Sequence, residues 1–158
     1  MIRKILYIAL LLTKTQYIMF TKSNLLATLA GFITLYLLGW AFYGVIADDF
    51  FMNHTTLQEV HKEDSLDGIW QIAIGSIIIS FFMSTLYNKW SAETHNVLEG
   101  FKFGALIGAM IGLGLGMVMY ATTNFMDFQG QLSDGIWSIL YYGLAGVAIS
   151  WVYKVTSK

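Results

Sequence analysis

The chain has 158 residues, 56% of them hydrophobic and 16% aromatic, with only 12% charged and a formal net charge of -1; its mean hydropathy is +0.61. Soluble domains carry about 25% charged residues, so this is the composition of a membrane protein. The absence of Cys excludes a disulfide framework, a thiol nucleophile and a cysteine metal site, and near-neutral charge with scattered Lys and Arg excludes a nucleic-acid surface.

In chain order, residues 1–23 read as a cytoplasmic or interfacial segment ahead of a four-helix transmembrane domain over 24–158. Residues 5–12 are an apolar run behind Arg3 and Lys4, like a signal-peptide core. Thr13, Lys14, Thr15 and Gln16 follow without a small-residue cleavage site. Eight residues are too few to span, so the segment is either an interfacial amphipathic helix or lies ahead of a start at Met19.

Four uncharged apolar stretches of about 20 residues follow, at 25–46, 68–88, 103–122 and 135–153, each long enough to cross as a helix. Their continuous apolarity excludes the alternation of a barrel strand, and no Pro interrupts them. Arg3, Lys4, Lys14, Lys22, Lys89, Lys102, Lys154 and Lys158 fall on one side of these spans and only Lys62 on the other. The positive-inside rule then puts both termini and the 89–102 connection in the cytoplasm. Eight of the ten acids, among them Asp127 and Asp134, lie on the opposite side. Trp70 and Trp137 near the outer ends, with Trp90 and Trp151 near the inner ends, match interfacial aromatic belts.

Asp-Gly-Ile-Trp occurs at 67–70 and again at 134–137. The chain is therefore either two tandem hairpins related by an axis along the membrane normal, or two unrelated helices that each start with an Asp cap and an interfacial Trp.

The segment Leu38-Gly39-Trp40-Ala41-Phe42-Tyr43-Gly44, followed by Asp48-Asp49-Phe50-Phe51, resembles a family of small, uncharacterised bacterial integral membrane proteins with four spans. The likeness runs from about residue 25 to the C-terminus. It implies a four-helix fold and a bacterial inner-membrane location, and it supplies no catalytic residues.

The most specific pattern is a row of glycines four apart, Gly100, Gly104, Gly108, Gly112 and Gly116, a glycine zipper through the third span. In lipid, glycine lets two backbones approach closely. A four-residue step drifts about 40° around an α-helix, so one straight partner should not cover the whole row, which needs either a right-handed crossing or two successive neighbours. Ser76, Ser80 and Ser84 of the second span, with Ala27 and Gly31 of the first, are the small residues available to meet it. A second group, Trp40, Phe42, Tyr43, Tyr120, Tyr141 and Tyr142, should lie in the outer half, where it lines an amphipathic pocket or packs at the interface.

No charged residue is expected inside a span, which argues against a proton-coupled transporter. The outer loop 48–67 carries His54, Glu59, His61, Glu63 and Asp64, but without metal-ligand spacing, so a solvated acidic loop with a short helix over 56–64 is expected and no metal or cofactor. Asn53-His54-Thr55 is a glycosylation sequon, relevant only in a eukaryotic secretory compartment. His95 reads as an exposed loop residue. No catalytic signature occurs. The reading is a non-enzymatic structural or interaction component, its partners the lipid bilayer and a second copy or another membrane protein. The alternative is a carrier or passive channel for a lipid-like or small-molecule ligand.

Overall fold

The computed structural model describes residues 19–56, 66–91 and 94–157, and apart from one isolated bridge between Thr55 and Met126 their regular structure is helical. The first span is α1 (Lys22–Ala41), which runs into a wide π turn at Phe42–Ile46. A short helix α2 (Asp48–His54) follows, then α3 (Leu66–Trp90). The third span is α4 (Val97–Gly108), a π segment at Ala109–Leu115 and α5 (Gly116–Thr122) in one continuous rod. The fourth is α6 (Phe128–Thr156).

The four spans have 25, 25, 26 and 29 residues, which at 1.5 Å per residue is about 38 to 43 Å, ample for a hydrocarbon core of about 30 Å. The molecule is an all-α four-helix membrane bundle.

Each span overruns the apolar stretch that announces it, because polar residues cap and extend the helices. Thr21 Oγ1 accepts from the Asn24 N–H at 3.2 Å, and Asn96 Oδ1 accepts from Leu98 N–H at 2.9 Å. Asp127, and not Asp134, caps α6, its carboxylate accepting from Gly130 N–H at 2.8 Å. The two Asp-Gly-Ile-Trp tetrads are therefore not equivalent: one forms the first turn of α3, whereas the other lies nearly two turns inside α6.

The outer loop also differs from expectation. Its helix is α2, with Asp48 and Asp49 in the first turn, where negative charge suits the helix dipole, and His54 in the last. Residues 57–65, where the 56–64 helix and Glu59, His61, Glu63 and Asp64 fall, lie outside the described residues, as does the 1–18 segment.

The fourth helix is the hub. Half of its apolar window is buried, against a third or less for each other span. It packs along the third span on one side and α1 on the other, and α3 packs on α1. None of these helices carries a marked apolar stripe, since every face is apolar. Small and polar side chains mark the inward faces, as expected where lipid tails already satisfy apolar surface.

The glycine row shows this most clearly. A Cβ added at Gly104 or Gly108 would strike the main-chain carbonyls of Tyr142 and Ser138 respectively. At Gly100 it would meet Ser150 and the Gly146 carbonyl, at Gly112 Ser138 and Gly135, and at Gly116 the Gln131 side chain. All five thus face one helix, α6, and not two successive neighbours. The π segment gives the reason. A π turn holds more than four residues, so a four-residue step there falls short of a full turn and drifts opposite to the α-helical drift. The wide segment between Gly108 and Gly116 returns the lower part of the row to the same face.

The serine row does not meet these glycines. Ser80 Oγ donates to the Thr28 carbonyl at 2.7 Å, Ser84 Oγ to Asn24 Oδ1 at 2.6 Å, and Gly31 sits where α1 passes both Ser80 and Ile149. Ser76 is buried in the same row. Seryl and glycyl rows thus close two different interfaces, α3 on α1 and the third span on α6.

Candidate functional site

Two polar clusters occupy opposite ends of the bundle. At the end shared by the start of α1 and the end of α6, Asn24 is fully buried. Its Nδ2 donates to the Met19 carbonyl at 2.6 Å and to Thr85 Oγ1 at 3.1 Å. Its Oδ1 accepts from Ser84 Oγ at 2.6 Å and from Tyr153 OH at 2.7 Å. One amide thereby ties α1, α3 and α6 together with its donors and acceptor all engaged. Beside it His95 stacks on Tyr153, with ring centroids 4.9 Å apart, and its Nδ1 lies 3.1 Å from Ser91 Oγ. His95 is half-buried, not the exposed loop residue expected.

The other end holds a carboxylate within a span. Asp134 is half-buried and accepts a hydrogen bond from Tyr43 OH at 2.6 Å. Tyr43 belongs to the π turn that ends the first span, and π turns recur at functional sites. Phe42, next to it, stacks on Trp137 with centroids 3.7 Å apart and planes 13° from parallel. Trp137 lies near Tyr141 in turn. Tyr141 OH donates to the Leu35 carbonyl at 2.7 Å, fastening α6 to α1 just below the site. The indole Nε1 of Trp137 is buried and has no hydrogen-bond acceptor among the described residues.

Asp134 is thus carried into the fourth helix, one residue ahead of the apolar stretch 135–153. Two Asp residues seven apart both precede glycine-containing turns in this stretch, and either can start a helix. Because Asp127 takes the cap, the helix begins earlier and carries Asp134 inward.

Of the six aromatics, Tyr43 bonds Asp134, Phe42 meets the Tyr43 ring edge-on at 5.2 Å, and Tyr141 meets Tyr142 edge-on at 5.0 Å. Tyr142 is buried in the core, where its backbone lies against Gly104. Trp40 is exposed on the outer surface of α1, and Tyr120 is exposed and pairs edge-on with Phe128 at 5.6 Å. The six do not line one pocket. Trp137 and Asp134 are the members that periodicity did not reveal.

Above this site α2 is fastened to the approach to α6. His54 Nδ1 lies 2.7 Å from Asp127 Oδ2; the Asp127 N–H donates to the His54 carbonyl at 3.0 Å, and the Thr56 N–H to the Phe125 carbonyl at 3.0 Å. The Gly130 N–H, and then the His54 ring, hold the Asp127 carboxyl below the usual carboxylate range. His54 is therefore engaged with a residue from a different loop. Among the described residues no three His, Cys, Asp or Glu side chains group as a metal site.

Fold and site together define an all-α, multi-pass membrane protein with a carboxylate set into the N-terminal part of its hub helix. No protein-family model, curated protein or solved structure matches the chain.

Proposed function

We propose that the chain is a non-enzymatic assembly component of a bacterial inner membrane, with both termini in the cytoplasm, serving as a rigid scaffold for a second copy or another membrane protein. The observation that carries this reading is the interface between the third span and α6. It is closed to backbone contact through Gly100, Gly104, Gly108 and Gly112, so the glycine zipper is spent inside the monomer on rigidity.

The three peripheral spans meanwhile turn large apolar side chains outward, including Leu29, Ile33 and Leu37 of α1 and Ile74, Ile78 and Phe82 of α3. Lipid or a neighbouring helix covers such faces equally well. Extraction from membranes directly into nanodiscs, followed by native mass spectrometry, tests the proposal. A fixed number of copies, or one stoichiometric membrane protein beside this chain, is expected. A monomer that retains a stoichiometric small molecule and no protein would transfer the function to the carrier reading, which the half-buried Asp134 and Tyr43 favour.

A further inference from the structure

The third span is held to α6 in two different ways along its length. Gly104 and Gly108 rest against main-chain carbonyls, and Gly112 against Ser138 and the Gly135 Cα, contacts in which backbone cannot swing aside. Further along, the attachment changes character. From Gly114 to Asn124 every residue except Gly116 is exposed, and what Gly116 faces on α6 is the Gln131 side chain, an amide at the end of rotatable bonds.

The π segment Ala109–Leu115 separates the two parts. An α-helix is the ordinary geometry of a helical chain and a π segment the rare exception, so tertiary contact holds this one open, through the seating of Gly112 and Gly116 on α6. Gly114, inside the segment, points to a change of state. Outside its own turn, its Cβ position meets nothing among the described residues nearer than the Ala109 carbonyl, at 3.9 Å. Packing therefore does not ask for glycine there and helix propensity opposes it; backbone freedom is what the residue supplies.

The π and α forms are related by a fixed rotation. A π hydrogen bond spans one residue more than an α bond, so closing the segment to α-helix carries everything beyond it by one residue's arc, about 100°, around the axis. Leu115, now 54% exposed, then takes the place of Gly116 against Gln131. A leucine does not fit where a glycine backbone rested, so α5 is pushed off α6. The swing is limited at its far end. The Thr56 N–H donates to the Phe125 carbonyl at 3.0 Å and Met126 bridges Thr55, which leaves exposed Thr123 and Asn124 as the slack.

We propose that α5 is a gate hinged at the π segment Ala109–Leu115: conversion of that segment to α-helix turns Leu115 onto α6 in place of Gly116 and opens the seam between α5 and the start of α6 beside Gln131. The glycine row from Gly100 to Gly108 stays closed throughout. The gate goes beyond the scaffold reading and does not depend on it, because neither a second copy nor another protein enters it.

The chain contains no Cys, so disulfide trapping in membranes reads the gate directly. Three double variants of the full chain are compared under mild oxidation, Gln131→Cys paired in turn with Gly116→Cys, Leu115→Cys and Met117→Cys. Gln131→Cys also removes the amide that a Cβ at 116 would strike. The Gly116 pair reports the closed seam and should bridge fastest. Leu115 and Met117 flank Gly116 by about 100° on either side, so fraying of α5 brings both to position 131 equally, whereas conversion brings Leu115 alone. The Leu115 pair should bridge at about a tenth of the Gly116 rate, as for a state populated at roughly 10%, and the Met117 pair about tenfold more slowly still. Deleting Gly114 removes the extra residue and closes the segment into α-helix with Gly116 still on α6. It should cut the Leu115 rate by about tenfold and spare the Gly116 bridge, which also shows that the shortened chain folds. A Leu115 pair no faster than the Met117 pair would overturn the gate, as would a Gly116 pair that fails to bridge in the full-length chain, or a deletion that leaves the Leu115 rate unchanged.

Discussion

Asn24 stands at the third residue past the Thr21 cap, where a sequence reading sees only the edge of a span. Its side chain nevertheless joins three helices, because the amide offers donors and an acceptor in one plane and Ser84, Thr85 and Tyr153 converge on it. Replacing it with Leu keeps the bulk but removes the amide, leaving Ser84, Thr85 and Tyr153 only their bonds to backbone carbonyls. We expect Asn24→Leu to cost about 1 to 3 kcal/mol, and Tyr153→Phe about 0.6 kcal/mol, the mean found for single bonds between membrane helices. Equilibrium unfolding in mixed micelles measures both. Equal stability of Asn24→Leu and wild type would show that the cluster is incidental. Trp137→Phe, by contrast, should cost little in the same assay, since its N–H has no acceptor to lose.

At the scale of elements, the interface between the third span and α6 makes a sharp distinction among glycines. Gly104 faces a main-chain carbonyl, which cannot move aside as a side chain could, whereas Gly75 on α3 has open space at its Cβ position. Gly104→Ala and Gly108→Leu should therefore each lower stability by about 1 to 3 kcal/mol through overpacking. Gly75→Ala should be neutral or gain up to about 1 kcal/mol from helix propensity, and Val118→Leu, on an exposed face, should be silent. Because α6 of the same chain occupies the glycine row, the loss should appear in the monomer's own unfolding transition. A shift confined to oligomer mass would mean that the row meets a second copy.

The fastening of α2 to α6 has its own pH dependence. The Asp127 carboxyl is depressed in the folded state by Gly130 and His54, so its contribution is present above the unfolded Asp value, about 3.9, and is lost as pH falls through the lower folded value. Hydrogen exchange over α2 should accordingly rise at the acid end of that range in wild type. In Asp127→Asn it should be raised at neutral pH and insensitive to acidification there. Unchanged exchange in the variant would show that the Thr55 and Met126 bridge alone holds α2.

For the whole molecule, the eight-to-one division of basic residues makes the orientation testable. A cysteine placed at Asn53, on exposed α2, should react with an impermeant thiol reagent in intact cells. One at exposed Asn96, ahead of α4, should not. The reverse pattern would invert the molecule and move Asp134 to the cytoplasmic leaflet.

Span number, helical class and the sidedness of charge were legible in the residues alone, because each depends on quantities summed along the chain: apolar length against bilayer thickness, and the placement of Lys and Arg between spans. The glycine row was legible as a packing surface, since residue type and spacing both mark it. Its partner was not. Small residues on α1, α3 and α6 are equally suitable by sequence, and only the π segment Ala109–Leu115, which no Pro or charge announces, brings the whole row onto α6. The carboxylate site escaped for a related reason. Whether Asp134 caps a helix or enters a span depends on which of two Asp residues takes the cap, and that is decided by the Asp127 contacts with Gly130 and with His54, a residue 73 positions away. Local pattern determines what can face lipid; contacts distant in sequence decide which helices meet and which charge they carry inward.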